Sequence, residues 1–463
     1  MENNHSQHTT DVRGTILLIT GLRRSANLGD IAMLTATRSF LTDCFGGGVQ
    51  VHVWGLCRKE TEAQAELFAG PPGLFASLSN MKRWLLKYRR RTAPSSPVAS
   101  AQALRGIWGW LVRGVLLSFG LAVFCMAAAY RWLRIPVPRH VSALCQSLAR
   151  ADAVVTAGGG WMNSEFLITL YENQLMLLIA QRVYRIPTYV VGEQVGPLTN
   201  RLDRLLVRLP LERAEAVSLR DQRSVFTARR LLSSPDKVEL FGDWAYKAEA
   251  PVEHSPGSVP RLGVNLRLAH YSPLIDVHLA QIAEGLDAFR RRTGGEIHLI
   301  PTCSDPLESD EAILRELENR CHCRDSIRPH VFFTSVDDCR RMIASMQLNL
   351  AVSYHYCLFS LMANVPCLGL VTSEYYAQKL GALFELFGLP EWLVRADSLA
   401  GKDLAEELIV LSEALPSHRD RLLDANHRLM EQRGAAAHGL FVRLRQQLSG
   451  APQMVGAGVA HGP

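Results

Sequence analysis

The stretch Ala153-Val154-Val155-Thr156-Ala157-Gly158-Gly159-Gly160 decides the fold. Its uncharged, β-branched run reads as a short buried strand. The three glycines read as the turn that ends it, with a helix expected over Leu167 to Tyr184. Backbone N–H groups in such a turn approach a ligand unobstructed, and a helix start beyond it attracts phosphate or carboxylate. The stretch lacks G-x-G-x-x-G and the P-loop Gly-Lys-Ser/Thr. Ligand contact through Gly158, Gly159 and Gly160, or a tight turn at a sheet edge, are the readings left open.

The same rhythm runs outward in both directions. Upstream, Thr15–Thr20 reads as a buried strand, Asn27-Leu28-Gly29-Asp30 as a polar turn, Ile31–Leu41 as a helix and Val49–Leu56 as a strand. This is a βαβ opening. Downstream, strands are expected at Pro187–Gly192, Ala216–Leu219 and Val238–Phe241, each closing on a polar turn: Gly196-Pro197, Arg220-Asp221 and Gly242-Asp243. A Pro/Ser/Glu-rich stretch at 251–261 reads as a linker. Beyond it the pattern restarts, with strands at Leu262–Leu266, Glu296–Pro301, Val331–Phe333, Leu348–Val352 and Cys367–Val371, and a last long helix at His418–Leu448.

The fold class is therefore α/β, with two Rossmann-like lobes, 14–250 and 262–448, facing a central cleft. A flexible N-terminus (1–13) and a disordered tail (449–463) are expected outside them. In such sheets ligands bind off the carboxyl ends of the strands. All the polar turns fall there.

One segment breaks the pattern. Between Leu67 and Ala151 there is no Asp or Glu, against twelve Lys and Arg, so the remainder of this +6 chain is net acidic. Within it lie a cationic helix candidate, Met81–Arg91, and the uncharged run Gly114–Tyr130 between Arg113 and Arg131. Seventeen residues is the lower limit for a span, and a single span would separate strands that one parallel sheet needs together. The segment, about 67–150, reads as a basic apolar helical insertion that binds an anionic membrane surface through about 81–134. A buried helical layer is the plainer alternative. No secretory signal opens the chain, so a cytoplasmic place at the inner face of the cytoplasmic membrane is expected. Ten scattered cysteines form no disulfide framework, and Cys321-His322-Cys323 lacks the second pair a zinc site needs. No metal, organic cofactor or nucleic-acid partner is expected.

The candidate site residues follow from these strand ends. Asn27 or Asp30 caps the first helix and also faces the cleft. Asp221 caps another, leaving Arg220 to grip an anion, with Ser224 beside them. Arg267 ends the first strand of the second lobe and faces Arg220 across the gap, unless either is a surface ion pair. His355, between a buried strand and a helix, is presented for proton transfer.

The ordered series Asn27-x-Gly29-Asp30, Gly158-Gly159-Gly160, Gly196-Pro197, Arg220-Asp221-x-x-Ser224, Gly242-Asp243, Asn265-x-Arg267, Pro301 with Asp305, His355 and Val365-Pro366 resembles the polysaccharide pyruvyl transferase family. The resemblance runs over about 14–56 and 151–389 and does not speak to the insertion. It implies a fold like the two-lobed (GT-B) glycosyltransferases. It also implies transfer of a pyruvyl group from phosphoenolpyruvate to hydroxyls of a sugar, in a surface polysaccharide or its lipid-linked precursor. His355 and Asp30 are then catalytic, and Asn27, Gly29, the glycine triplet, Gly196, Arg220, Asp221, Ser224, Arg267, Ser353 and Lys379 bind substrate. One position departs from the pattern: the family's Arg-x-His is Ser353-Tyr354-His355, and Lys379 is the nearest substitute for the lost arginine. Ser353 leaves open a sugar-nucleotide glycosyltransferase or a non-catalytic, membrane-associated sugar-binding protein.

Overall fold

The computed structural model describes residues 12–21, 27–54, 99–247, 259–269, 272, 274–305, 309–401 and 403–450. The cationic helix expected at 81–91, residues 1–11, most of the 251–261 linker and the tail beyond 450 lie outside the described residues.

The first lobe contains β1 (Gly14–Ile19), α1 (Leu28–Phe45), β2 (Val49–Trp54), α2 (Ala99–Leu133), α3 (Arg139–Arg150), β3 (Ala153–Thr156), β4 (Gly159–Met162), α4 (Leu167–Ile179), β5 (Thr188–Val195), α5 (Arg201–Leu211), β6 (Ala216–Leu219), α6 (Gln222–Leu231) and β7 (Val238–Leu240). Its strands pair in parallel in the order β2-β1-β3-β5-β6-β7, with β4 alongside β5. Both faces of a parallel sheet are buried, and β1 shows how. Ile16 and Leu18 enter one hydrophobic cluster, Leu17 and Ile19 the other.

The second lobe contains β8 (Arg261–Asn265), α7 (Asp276–Thr293), β9 (Glu296–Leu299), α8 (Asp310–Arg320), β10 (Ile327–Pro329), α9 (Val336–Ala344), β11 (Leu348–Ala351), α10 (Tyr354–Met362), β12 (Cys367–Val371), α11 (Glu374–Phe387), β13 (Leu393–Arg395), α12 (Leu404–Glu413) and α13 (Leu415–Gly450). Its order, β10-β9-β8-β11-β12-β13, is again all parallel. Each sheet reverses direction beside its first strand, where a crevice opens at the strand ends.

Three expectations are corrected. The strand expected at 331–333 lies at Ile327–Pro329, because pairing with β9 ends at Pro329↔Leu299, and Val331 is 81% exposed. The glycine triplet is not simply a strand-to-helix turn: Gly159 and Gly160 begin β4, and the helix waits until Leu167. The last helix does not belong to the second lobe alone. Phe441 packs on Phe45, Leu448 lies against Gly14, and Arg443 pairs with Glu239, so α13 straps back over the first lobe.

The insertion is helical, as expected. Its apolar run is part of the 35-residue helix α2. Gly109–Leu133 is the one helical stretch among the described residues long and apolar enough to cross a membrane. It does not stand free. Leu116, Val123 and Ala127 are buried in the cluster that includes Leu170 and Leu175 of α4. Arg113, expected as a mere flank, donates from Nε and Nη2 to both oxygens of buried Asp203 at 2.9 and 2.6 Å. Ser164 and Tyr171 also donate to that carboxylate, at 2.7 and 3.3 Å. One face of the helix is therefore packed on the first lobe and anchored there by a buried ion pair.

Candidate active site

The two lobes meet where α1 and α10 begin. Asn27 caps α1 by accepting from Gly29 N–H at 3.1 Å, and it bridges to Cys303 of the second lobe. Leu28 N–H donates to Thr302 C=O at 3.1 Å. This docking brings Gly29 onto the ring of His355. A Cβ at position 29 would fall 1.9 Å from His355 Nδ1, so no residue with a side chain fits. Asp30 follows, half-buried, in the first turn of α1.

The other ring nitrogen of His355 faces the first lobe again. Nε2 lies 3.7 Å from Asp243 Oδ2, and both side chains are almost wholly buried. Asp243 stands just beyond β7, and its Oδ1 accepts from Ala245 N–H at 2.8 Å. Burial alone would raise this carboxyl. The nearby imidazole of His355, then Arg220, outweigh it and hold the group below the usual range. Neither His355 Nε2 nor Asp243 Oδ2 has a close hydrogen-bond partner, so the pair is in register but not closed.

Arg220, just beyond β6, is 1% exposed. One nitrogen donates to Gln194 Oε1. Asp221 and Asp243 approach it only to 3.8 and 3.7 Å, and Nε has no partner. Its guanidinium lies 4.1 Å over the Tyr354 ring. Lys379, on α11, lies 5.4 Å over the same ring and 5.5 Å over Tyr375. Its amine is pushed down to about 7, first by burial and then by Arg220, against the pull of Asp30. Arg267 also lowers it and Asp243 raises it. Arg220 and Lys379 thus meet over one ring, that of Tyr354.

Arg267 is a different kind of residue. It is bound at 2.9 and 3.2 Å to Asp310, and its Nη2 also reaches Thr302 Oγ1 at 3.2 Å. Asp310 in turn accepts from Thr302 and Cys303 N–H at 2.8 and 3.0 Å and from Asn265 Nδ2 at 3.1 Å. This closed network fixes the 302–303 loop on which α1 docks. Ser353 belongs to it, its hydroxyl 3.4 Å from Thr302 Oγ1.

Of the expected site residues, the structure gathers Asn27, Gly29, Asp30, Gly160, Arg220, Arg267, Ser353, His355 and Lys379 around one cleft. A Cβ on Gly160 would lie 3.2 Å from Gln194 Oε1 and 3.8 Å from Lys379 Nζ. Gly158 does not reach the cleft. At φ +76° it turns the chain into the core, against Trp244 and Gly192. Gly159 lies beside Trp161 and Glu193. Asp221 caps α6 by accepting from Ser224 N–H at 2.8 Å, and the Ser224 hydroxyl accepts from Val195 N–H at 3.0 Å. Those two, with Gly196, line a neighbouring cavity of about 660 Å3 that Arg204, Arg230 and Gln378 also border. Sequence reasoning missed Asp243, Tyr354 and Gln194 as site members. Asp243 was visible as a strand-end Gly-Asp pair, whereas Gln194 carried no signal beyond its place late in a strand. It also missed Glu193, wholly buried, whose carboxyl burial pushes well above its usual range while Oε1 accepts from Trp161 Nε1 at 3.0 Å.

The architecture matches solved two-lobed enzymes of the glycosyltransferase-B type. A protein described as a UDP-N-acetylglucosamine 2-epimerase from Listeria monocytogenes aligns at TM-score 0.56 and 12% identity, over 95% of this chain and 98% of its own. The Anabaena protein HepE, in complex with UDP-glucose, aligns at TM-score 0.50 and 11% identity, over 94% and 98%. At such identities the likeness concerns the fold alone. No curated protein sequence matches the chain. The family model described as polysaccharide pyruvyl transferase matches residues 27–374, which span the α1 docking turn, Arg220, Asp243, Arg267 and His355. With most of its length so matched, the chain belongs to the polysaccharide pyruvyl transferase family, a family of transferases.

Proposed function

We propose that this chain moves a pyruvyl group from phosphoenolpyruvate to hydroxyls of a sugar, in a surface polysaccharide or its lipid-linked precursor. The observation that carries the reading is the His355–Asp243 pair set beside two cations, Arg220 and Lys379, that no close ion pair consumes. Phosphoenolpyruvate brings a phosphate and a carboxylate, which need such cations. It also needs an acid at its methylene carbon. Asp243 stands 3.7 Å from Nε2, placed to orient the imidazole once the pair closes, and Nδ1 faces the start of α1.

His355 gives a proton to the methylene carbon, which becomes a methyl group and leaves an oxocarbenium-like centre at the adjacent carbon. A sugar hydroxyl oxygen bonds to that centre, and Asp30 takes the hydroxyl proton. The bond to the phosphate oxygen breaks, and a second hydroxyl adds to close the ketal. One hydroxyl proton replaces the proton given to carbon, and the other leaves with inorganic phosphate. The arginine missing at Ser353 is replaced in this reading by Lys379, whose amine reaches the same space from α11.

The test is acceptor-dependent phosphate release from phosphoenolpyruvate by the purified protein, with lipid-linked oligosaccharide as acceptor. Release that requires both substrates is expected. No release with any acceptor, together with binding of a sugar nucleotide, overturns the proposal.

A further inference from the structure

The helix α2 has two apolar faces, and only one is used. Leu116, Gly120, Val123 and Ala127 recur at helical spacing and are buried against the first lobe. The opposite face repeats at the same spacing and is bare. Trp110, Leu111, Val115 and Leu121 are each at least half exposed, and Trp132 and Leu133 more so. From Trp110 to Leu133 this outer stripe runs about 35 Å at the usual helical rise. A surface helix of a protein surrounded only by water carries polar residues there.

Its surroundings name the occupant. Arg131, Arg134 and Arg139 follow the stripe, all exposed, in a segment that has no acidic residue from Leu67 to Ala151. A second copy of the chain on this face would set those arginines near their own symmetry mates. An anionic bilayer would meet them with opposite charge and take the apolar stripe below its headgroups, with the tryptophans at the boundary level. The inner face is locked by Arg113 and Asp203 at 2.6 Å, so the helix is held in the plane rather than across the membrane. We infer that the outer face of α2 is a membrane-docking surface that lays the first lobe on an anionic leaflet. This stands independently of the proposed reaction.

The full chain is tested by flotation with vesicles of phosphatidylcholine alone or mixed with phosphatidylglycerol. Wild-type protein is expected to float with the anionic vesicles, and to be released at high salt or with neutral ones. A triple variant, Leu111→Gln with Val115→Gln and Leu121→Gln, is expected to lose at least tenfold in bound fraction, with its melting temperature unchanged. Wild-type protein that ignores both vesicles overturns the inference. So does a folded variant that binds as well as wild type, or one whose only change is from dimer to monomer.

Discussion

The cleft has two ends, and each holds a buried arginine at the close of a strand. At the second-lobe end, Arg267 is held by three hydrogen bonds, two to Asp310 and one to Thr302. At the first-lobe end, Arg220 sits between two carboxylates that stop at 3.7 and 3.8 Å, with one nitrogen unpartnered. The sequence presents the two as equivalents. What separates them is the closeness of partners: a guanidinium clamped by a carboxylate within hydrogen-bond distance holds the fold, and one whose carboxylates stand off is the candidate to meet an anion.

Four experiments put this contrast at risk. The largest effect belongs to the acid that the first-lobe end orients. His355→Gln should lower kcat by about 10²–10⁴-fold with little change in melting temperature. A large stability loss would make the residue structural. Next, Arg267→Met strands the Asp310 carboxylate and should cost about 3–5 kcal/mol in denaturant unfolding. Arg220→Met should cost clearly less and weaken sulfate binding instead. Equal stability losses would erase the distinction. Third, Gly29→Ala forces a methyl into the His355 ring and should cost about 10²-fold in kcat/KM while leaving sulfate affinity near wild type. An unaffected rate would mean that the lobes need not touch there.

The smallest effect concerns Lys379. Its amine is pushed down to about 7, first by burial and then by Arg220, so it carries its charge below that pH and loses it above. Sulfate keeps its charge throughout this range, so the probe itself does not titrate. Its affinity should be full below about 7 and fall roughly tenfold as pH rises through that value. Lys379→Arg should flatten the curve. A flat wild-type curve would remove Lys379 from the anion site.

Much of the fold is legible in the sequence because buried parallel strands are short apolar runs closed by polar turns. β1, β3 and β6 stand out that way. The error at β10 has the same root. Val331-Phe332-Phe333 is apolar, but pairing stops at Pro329, and the two phenylalanines only pad the core half-buried. The site is legible where a residue's position at a strand end sets its role, as for Gly29, Arg220 and His355. It is illegible where the role depends on a distant partner. Arg267 is settled by Asp310, 43 residues on, and Arg113 by Asp203, 90 residues on. Periodicity reveals that α2 is apolar, but only the fold reveals which of its faces is spare.

The bond between Arg113 and Asp203 also bears on how the insertion was inherited. Asp203 shares its oxygens among Arg113, Ser164 and Tyr171, and Ser164 in turn accepts from Thr199 N–H at 3.0 Å in the loop after Gly196-Pro197. The insertion is therefore no detachable tag. A lineage that shed it would keep a buried negative charge with its counter-ion gone. Relatives lacking the helix should accordingly carry a neutral side chain at the position of Asp203, and the two losses should appear together on the family tree.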